Sequence, residues 1–297
     1  MTLNPLKSLL LVAAALGSAP AFSTLTATYV LVTNTPEQVV KRGGEWSHSA
    51  SSLSFIDSLS ARSAAGASLR NDVQVQAVYG GLRGSISSSV TGAGNSEAPN
   101  ANGFFQSQWS DYITIRSSTL AFGSPVTFSG VMYLHTFQGI SATTTPIFPY
   151  MVSVSYQEDL YVSSTLNSGS VATISYRTEF DQTIMSLGGS RDTVTTVPFT
   201  MASSVGETLY LNMALGGGTS ASAIGGSASA FLDAGHTGML TLALTTPGAS
   251  YTTASGTDYT SYMFAPVPEP ASAVLLLAGL AGLVAAGRRR LQTSQIP

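Results

Sequence analysis

Cysteine is absent from the 297 residues, and histidine, tryptophan and charged side chains are scarce, at 3 residues, 2 residues and 9% of the chain. The lack of cysteine excludes zinc–thiolate sites, iron–sulfur clusters and cysteine nucleophiles. It also excludes disulfides, on which small exported domains often depend. A chain of this length can instead be stabilised by burying a large apolar core.

Sequence motifs of common enzyme classes are also missing. The chain has no G-x-S-x-G elbow, no H-E-x-x-H pair, no EF-hand loop, no P-loop and no dinucleotide-binding fingerprint. His48 lies in a Ser/Ala-rich stretch, and His135 shares a strand face with apolar residues, which favours a core or half-buried position. Asp233 and His236 fall in a predicted turn, close enough to pair, but no nucleophile motif accompanies them. We therefore predict a non-catalytic protein without a cofactor.

Charge is low and slightly negative, with 12 basic and 15 acidic residues in the whole chain. Lys7, Glu269 and the three arginines Arg288, Arg289 and Arg290 lie in the terminal segments described below. Residues 22–266 retain 8 basic and 14 acidic residues, a net charge of −6. Nucleic-acid-binding proteins carry basic patches, and attachment to anionic lipid needs basic clusters, so neither partner is predicted.

The body of the chain alternates apolar and polar residues with a period of two, which predicts β-strands with one buried face. Val171–Ile184 is the clearest case, with Tyr176 and Phe180 on the apolar parity. Residues 105–115 alternate as well, although Asp111 falls on the apolar parity. Leu53–Leu59 fits a short helix or a strand. Further predicted strands are Leu25–Thr33, Val73–Tyr79, Val131–Phe137, Val152–Tyr156, Thr193–Met201, Thr208–Leu215 and Leu240–Leu244.

The segments between these strands are rich in Gly, Ser, Asn and Pro. We predict connections at Ser87–Gly103 and Gly216–Gly226, and we expect Pro198 to place its strand at a sheet edge or a bulge. Many strands with turn signals between them, and no convincing 3.6-residue period, favour an all-β fold. The predicted class is an antiparallel β-sandwich or jelly-roll-like domain.

Two kinds of candidate binding residue remain in the body. Glu179 and Asp181 share a strand face with Arg177, while the adjacent Glu158 and Asp159 would face opposite ways. The Glu179–Asp181 pair fits a solvated stripe, a calcium site or the two carboxylates of a glycosidase. Aromatic residues that could stack on a sugar are Trp46, Trp109, Tyr156, Tyr161 and Tyr210, of which Trp109 also fits a core strand.

The N-terminus has the three parts of a secretory signal peptide. Lys7 supplies the positive charge, residues 9–16 form an apolar run, and Ala19-Pro20-Ala21 provides an A-x-A cleavage site. The run of eight residues is too short for a transmembrane helix. We predict cleavage after Ala21, with cleavage after Ser23 as the alternative.

The C-terminus combines a proline-rich tetrapeptide, an apolar run and an arginine cluster. Val267-Pro268-Glu269-Pro270 is expected to be extended, because each proline fixes its own φ and restricts the preceding residue. The uncharged stretch 271–287 is at the short end of lengths that span a bilayer as a helix. Arg288, Arg289 and Arg290 follow directly and should remain on the cytoplasmic side.

This order of parts resembles the PEP-CTERM sorting signal of Gram-negative bacteria. The resemblance implies processing near Pro268–Pro270 by exosortase, an integral membrane enzyme. It divides the chain into a signal peptide (1–21), an exported domain (22–266) and a sorting signal (267–297). The signal peptide predicts export through the Sec translocon and cleavage by signal peptidase. The resemblance further implies transient anchoring in the inner membrane and final placement at the cell surface or outside the cell.

The resemblance also implies an exopolysaccharide or biofilm setting, because such sorting systems accompany exopolysaccharide production. It assigns no activity to residues 22–266. Two hypotheses follow for that domain. The first is a non-catalytic surface or matrix protein, and the alternative is a carbohydrate-binding module or secreted glycan-active enzyme.

Overall fold

The computed structural model describes residues 23–35, 37–94, 98–144, 150–164, 170–184, 188–235 and 238–261, with backbone alone for most of 150–164 and all of 170–184. These residues form fourteen β-strands and no helix. The strands are β1 (Thr24–Thr35), β2 (Glu37–Ser47), β3 (Ser52–Arg62), β4 (Ser68–Val78), β5 (Gly81–Ala93), β6 (Asn100–Ser117), β7 (Pro125–Thr144), β8 (Tyr150–Ser164), β9 (Ser170–Ile184), β10 (Gly189–Ser204), β11 (Thr208–Ser222), β12 (Gly226–Ala234), β13 (Met239–Leu244) and β14 (Ala249–Thr253).

The strands form two antiparallel sheets of seven strands each. The first sheet has the order β2-β1-β6-β11-β8-β9, and β14 pairs with the C-terminal part of β6. The second has the order β10-β7-β12-β5-β4-β3, and β13 pairs with β7 and β5. The prediction of an all-β antiparallel fold is confirmed, and Pro198 lies on the edge strand β10 as expected.

Side chains from both sheets meet in one buried cluster, so the arrangement is sandwich-like. Every second residue of β11 is buried from Leu209 to Ala221, as the period of two requires. The largest buried side chains include Trp109 and Phe105 on β6 and Phe128 on β7. The interior also holds a polar link between the sheets, in which Ser88 donates to Asn71 (2.7 Å) and lies 2.8 Å from the Thr219 hydroxyl.

Two predicted connections are longer than the connections that the structure shows, which lie between Ala93 and Asn100 and between Ser222 and Gly226. Ser87–Gly103 contains the end of β5 and the start of β6, and Gly216–Gly226 contains the second half of β11 and the first residue of β12. Within β11, Gly217 lies where side chains from other strands occupy the space that a Cβ would fill. A Cβ on Gly217 would lie 2.3 Å from Leu232 and 2.8 Å from Phe105. The ambiguous segment Leu53–Leu59 is a strand, β3, with Leu53 buried and Ile56 77% exposed.

Phe105 also depends on a glycine in the opposite sheet. A Cβ on Gly84 of β5 would lie 1.9 Å from the Phe105 ring, which is fully buried. We expect Gly84→Ala to lower the free energy of unfolding by about 1–3 kcal/mol, since overpacked cores typically lose this much. Denaturant unfolding of the purified protein measures the change.

Gly94→Ala is the matched control, because its Cβ would make an ordinary 3.8 Å contact with Ala65. We expect that variant to stay within about 0.5 kcal/mol of the parent. The double variant Gly84→Ala/Phe105→Leu should lose less than the sum of its two single changes, since the smaller side chain relieves the clash. Strict additivity would show that Gly84 does not make room for Phe105.

Candidate functional site

Asp111 is a fully buried carboxylate at the end of the sandwich core, on the parity that the sequence predicts to be apolar. Its Oδ1 accepts hydrogen bonds from the backbone N–H groups of Tyr112 (2.8 Å) and Ser255 (3.0 Å). Its Oδ2 accepts from the Ser255 hydroxyl (2.5 Å) and the Tyr259 hydroxyl (2.8 Å). These four hydrogen bonds thus replace the hydrogen bonds to water that the carboxylate loses on burial.

Tyr259 completes a structure that we call the C-terminal clamp, formed by Asp111, Ser255, Tyr259 and Trp109. The Tyr259 ring is fully buried and stacks on Trp109, with ring centroids 5.4 Å apart. The backbone carbonyl of Tyr259 accepts a hydrogen bond from the Leu242 N–H at 2.7 Å. Burial, and then the negative charge of Asp111, raises the pKa of Tyr259, so its hydroxyl stays protonated and donates to the carboxylate.

The clamp lies close in sequence to the predicted sorting signal. Only residues 260–266 separate Tyr259 from Val267. The start of the described chain is bound next to the clamp, because the hydroxyls of Thr24 and Ser110 form a hydrogen bond one residue before Asp111. The fold therefore fixes both ends of the described domain at the same part of β6.

A charged cluster joins the two sheets at the edge that contains β2 and β3. Asp57 of β3 accepts hydrogen bonds from the Tyr29 hydroxyl of β1 and from the Lys41 ammonium group of β2. The hydrogen bond from Lys41, followed by that from Tyr29, lowers the pKa of Asp57 to about 2. Burial, followed by the hydrogen bond to Asp57, raises the pKa of Tyr29 to about 12.

We expect this cluster to make stability depend on pH. The folded pKa of Asp57, about 2, lies below its ordinary value of 3.8, so its contribution is present above that ordinary value and is lost as the pH falls towards 2. Asp57→Asn should remove this contribution. The stability difference between the parent and Asp57→Asn, from denaturant unfolding at stepped pH values, should therefore shrink from pH 5 to pH 2. A difference that is constant over this range would contradict the assignment.

A second group of side chains lies on the outer face of the second sheet. We call it the aromatic patch, and its members are Tyr133, His135, Phe137, Asp192, Phe231 and Asp233. On β7 the buried parity is that of Leu134 and Thr136, so the parity of Tyr133 and Phe137 faces outward. His135 is half-buried as predicted, but the face that it shares with Val131, Tyr133 and Phe137 is not the core face.

Phe137 is at the centre of the aromatic patch and is 40% exposed. The strand register places Asp192 of β10 opposite it on one side and Asp233 of β12 opposite it on the other. The centroids of the Phe231 and Phe137 rings are 5.1 Å apart. The Phe231 ring also covers Gly139, on which a Cβ would lie 2.0 Å from Phe231. Two carboxylates therefore flank the exposed Phe137 ring, which packs against the half-buried Phe231.

Hydrogen bonds hold both carboxylates of the aromatic patch. Asp192 Oδ1 lies 2.8 Å from His135 Nε2, and the Asp233 carboxylate accepts from the Gly235 N–H at 2.7 Å. The Asp192 side chain remains 63% exposed and that of His135 is 29% exposed. Arg83 lies on β5, the strand that pairs with β12, and it is half-buried. Burial lowers the pKa of Arg83. The patch thus offers ring faces together with polar atoms that can accept or donate hydrogen bonds.

The aromatic residues predicted from the sequence are distributed over different parts of the fold. Trp109 is in the core, whereas Trp46 is 66% exposed on the edge strand β2, with its ring 4.8 Å from that of the exposed His48. Tyr210 is half-buried on the first sheet and packs against Tyr112 at 5.2 Å. Trp46 and Tyr210 therefore lie on the first sheet and do not belong to the aromatic patch of the second sheet.

The side chains of Tyr156, Glu158, Asp159, Tyr161, Glu179 and Asp181 lie outside the described part of the structure, as does His236. The candidate calcium ligands Glu179 and Asp181 therefore stay a prediction. Within the described side chains, no group of three or more His, Asp or Glu residues is placed to hold a metal ion.

The residues of the two predicted targeting segments also lie outside the described residues. They are Ala19 and Ala21 at the signal-peptide site, Val267, Pro268, Glu269 and Pro270 in the sorting motif, and Arg288, Arg289 and Arg290. Between residues 23 and 261, the described positions contain no helix with the length and apolar character needed to cross a membrane. The predicted span 271–287 is not among them.

Comparison with known protein families identifies one match, over residues 266–290, to the PEP-CTERM protein-sorting motif. The match begins one residue before Val267 and ends at Arg290, and it confirms the resemblance that the sequence indicates. No curated protein matches the chain. The motif implies that the chain is an exported protein sorted by an exosortase.

Proposed function

We propose that this chain is a non-catalytic protein of the cell surface or extracellular matrix, released from the inner membrane by an exosortase-type enzyme in an exopolysaccharide or biofilm setting. The match of residues 266–290 to the sorting motif supports the sorting and release in this proposal. The non-catalytic role rests on the absence of common catalytic motifs from the sequence. The predicted route begins with the Sec translocon and removal of residues 1–21 by signal peptidase. Residues 271–287 then anchor the chain with Arg288–Arg290 inside, and processing near Pro268–Pro270 releases residues 22–266.

The proposed fold class of the exported domain is a jelly roll extended by additional strands. The consecutive strands β5 to β12 are distributed as β5-β12-β7-β10 in one sheet and β6-β11-β8-β9 in the other, which is the strand order of two interlocked Greek keys. Strands β1 to β4 widen both sheets on the side of β5 and β6. Jelly rolls occur in capsid and lectin domains, so this class supports a structural role and a binding role equally.

The alternative, a carbohydrate-binding module or a glycan-active enzyme, gains support from the aromatic patch. Phe137 is exposed between Asp192 and Asp233, and a ring flanked by hydrogen-bonding groups suits a sugar. A binding role is compatible with a matrix protein, whereas hydrolysis would replace the non-catalytic proposal.

The test of the non-catalytic proposal is an assay of reducing-end release. We expect the processed protein, purified from the exported fraction of cells, to release no reducing ends from a panel of neutral and acidic polysaccharides, with or without calcium. The control is Asp192→Asn/Asp233→Asn, which should give the same baseline. Steady release that the double variant abolishes would establish a glycan-active enzyme and overturn the proposal.

A further inference from the structure

We propose that the aromatic patch on the outer face of the second sheet binds an uncharged polysaccharide. The inference rests on the extracellular setting proposed above and identifies the surface and the chemical class of the partner. Phe137 is 40% exposed, and Val194 of β10, which pairs with His135 on the same face, is 59% exposed. Adjoining apolar side chains that are exposed and rimmed by polar residues mark interaction sites.

The rings of the patch can pack against the apolar C–H faces of a sugar. Phe137 and Phe231 are tilted to each other by 51°, and Tyr133 lies four residues before Phe137 on the same face of β7. The electron-rich face of an aromatic ring attracts the positive edges of neighbouring C–H groups. Gly139 allows the Phe231 ring to lie close to the sheet, so the rings form a low platform rather than isolated projections.

The polar groups around the platform match the hydroxyl groups of a sugar. Carboxylates accept hydrogen bonds from hydroxyls, and an imidazole can donate or accept. Asp192 and Asp233 are on the two strands that flank β7, so their backbones are about 10 Å apart. Each carboxylate is already held by one partner, His135 or the Gly235 N–H, which reduces the entropy lost when a ligand binds.

The charge of this surface selects among polysaccharides. Two carboxylates flank the rings, Arg83 is half-buried, and the exported domain carries a net charge of −6. An acidic polysaccharide would bring like charges next to Asp192 and Asp233, which is unfavourable. An uncharged chain avoids this repulsion and still uses the rings and hydrogen-bonding groups.

Affinity electrophoresis of the processed, full-length exported protein tests the proposal, with hydroxyethylcellulose, galactomannan or alginate in the gel. We expect at least one of the two uncharged polymers to retard the protein and alginate to leave it unaffected. Phe137→Ala should weaken the affinity about two- to twelvefold, since a well-placed aromatic contact is worth about 0.5–1.5 kcal/mol and 1.4 kcal/mol corresponds to a factor of about ten. Trp46→Ala, which removes a more exposed ring from the first sheet, should bind like the parent.

Several outcomes would overturn the inference. They are the absence of retardation by both uncharged polymers, equal retardation by alginate, equal loss in Trp46→Ala, and unchanged affinity in Phe137→Ala. Sedimentation of the same samples tests whether a second copy of the chain occupies the patch instead. Self-association that is lost in Phe137→Ala would identify that copy as the partner and overturn the inference. Thermal unfolding checks that both variants are folded. Since the assay measures binding alone, its failure leaves the sorting proposal intact, and mass analysis of the C-terminus tests that proposal separately.

Discussion

Replacing Tyr259 with alanine is expected to lower the free energy of unfolding by about 3–5 kcal/mol, as truncation of large buried aromatic side chains typically does. The change removes a fully buried ring from its stack on Trp109 and leaves the buried Asp111 carboxylate with one donor fewer. Since domains are stable by only about 5–15 kcal/mol, this variant should be close to unfolding. Urea unfolding followed by circular dichroism measures the loss.

Two further variants separate the causes. Tyr259→Phe keeps the stack and removes only the hydrogen bond to Asp111, so we expect a smaller loss of about 1–3 kcal/mol. Ser261→Ala changes an exposed residue two positions later and should stay within about 0.5 kcal/mol of the parent. If Tyr259→Ala were as harmless as Ser261→Ala, the segment after β14 would not be part of the packed domain.

The second large effect concerns the sorting signal. We expect the double change Pro268→Ala/Pro270→Ala to abolish processing, so that the protein accumulates in the membrane fraction with its C-terminus intact. Proline at both positions favours an extended chain, whereas alanine is the best helix former and would allow a helix from the predicted span 271–287 to continue backwards through the motif. Immunoblotting of membrane and surface fractions measures the ratio of the two forms.

The matched control for this experiment is Thr293→Ala, which lies beyond the 266–290 match. That variant should be processed at the parental rate. Parental processing of the double proline variant would show that an extended Pro-Glu-Pro segment is not what the enzyme requires, while the match itself would still stand.

The sequence predicts the fold class well because period-two alternation depends only on local pattern. The strands around Leu25, Val73, Phe105 and Leu209 are found where alternation places them. The extent of β11 could not be predicted, because Gly217 lacks a side chain that would show a periodicity. Its place in the sheet depends on Phe105 and Leu232, which pack over it from other strands.

The environment of Asp111 also depends on residues that are distant in sequence and could not be predicted from a local pattern. A carboxylate on an apolar parity can be identified from sequence as an exception, but its partners Ser255 and Tyr259 are 144 and 148 residues further along the chain. No local pattern links residues over that distance. The buried network becomes evident only when β14 pairs with β6 and brings the C-terminal segment to the core.

The aromatic patch could be predicted only in part. The alternation of Val131, Tyr133 and Phe137 indicates a shared face of β7, and that is observed. Which face is buried was not evident, since the opposite parity includes the polar residues Thr136 and Gln138, and both are buried. Asp192 and Asp233 join the patch through pairing of β10 and β12 with β7, which the sequence alone does not specify.

Mass spectrometry of the protein isolated from the cell surface and the medium tests the central claim most directly. We expect N-terminal peptides that begin at Phe22, and C-terminal peptides that end near Pro268–Pro270, with none from the region beyond Ala271. Recovery of intact Gln292–Pro297 from the mature surface protein would contradict exosortase-type processing of this chain.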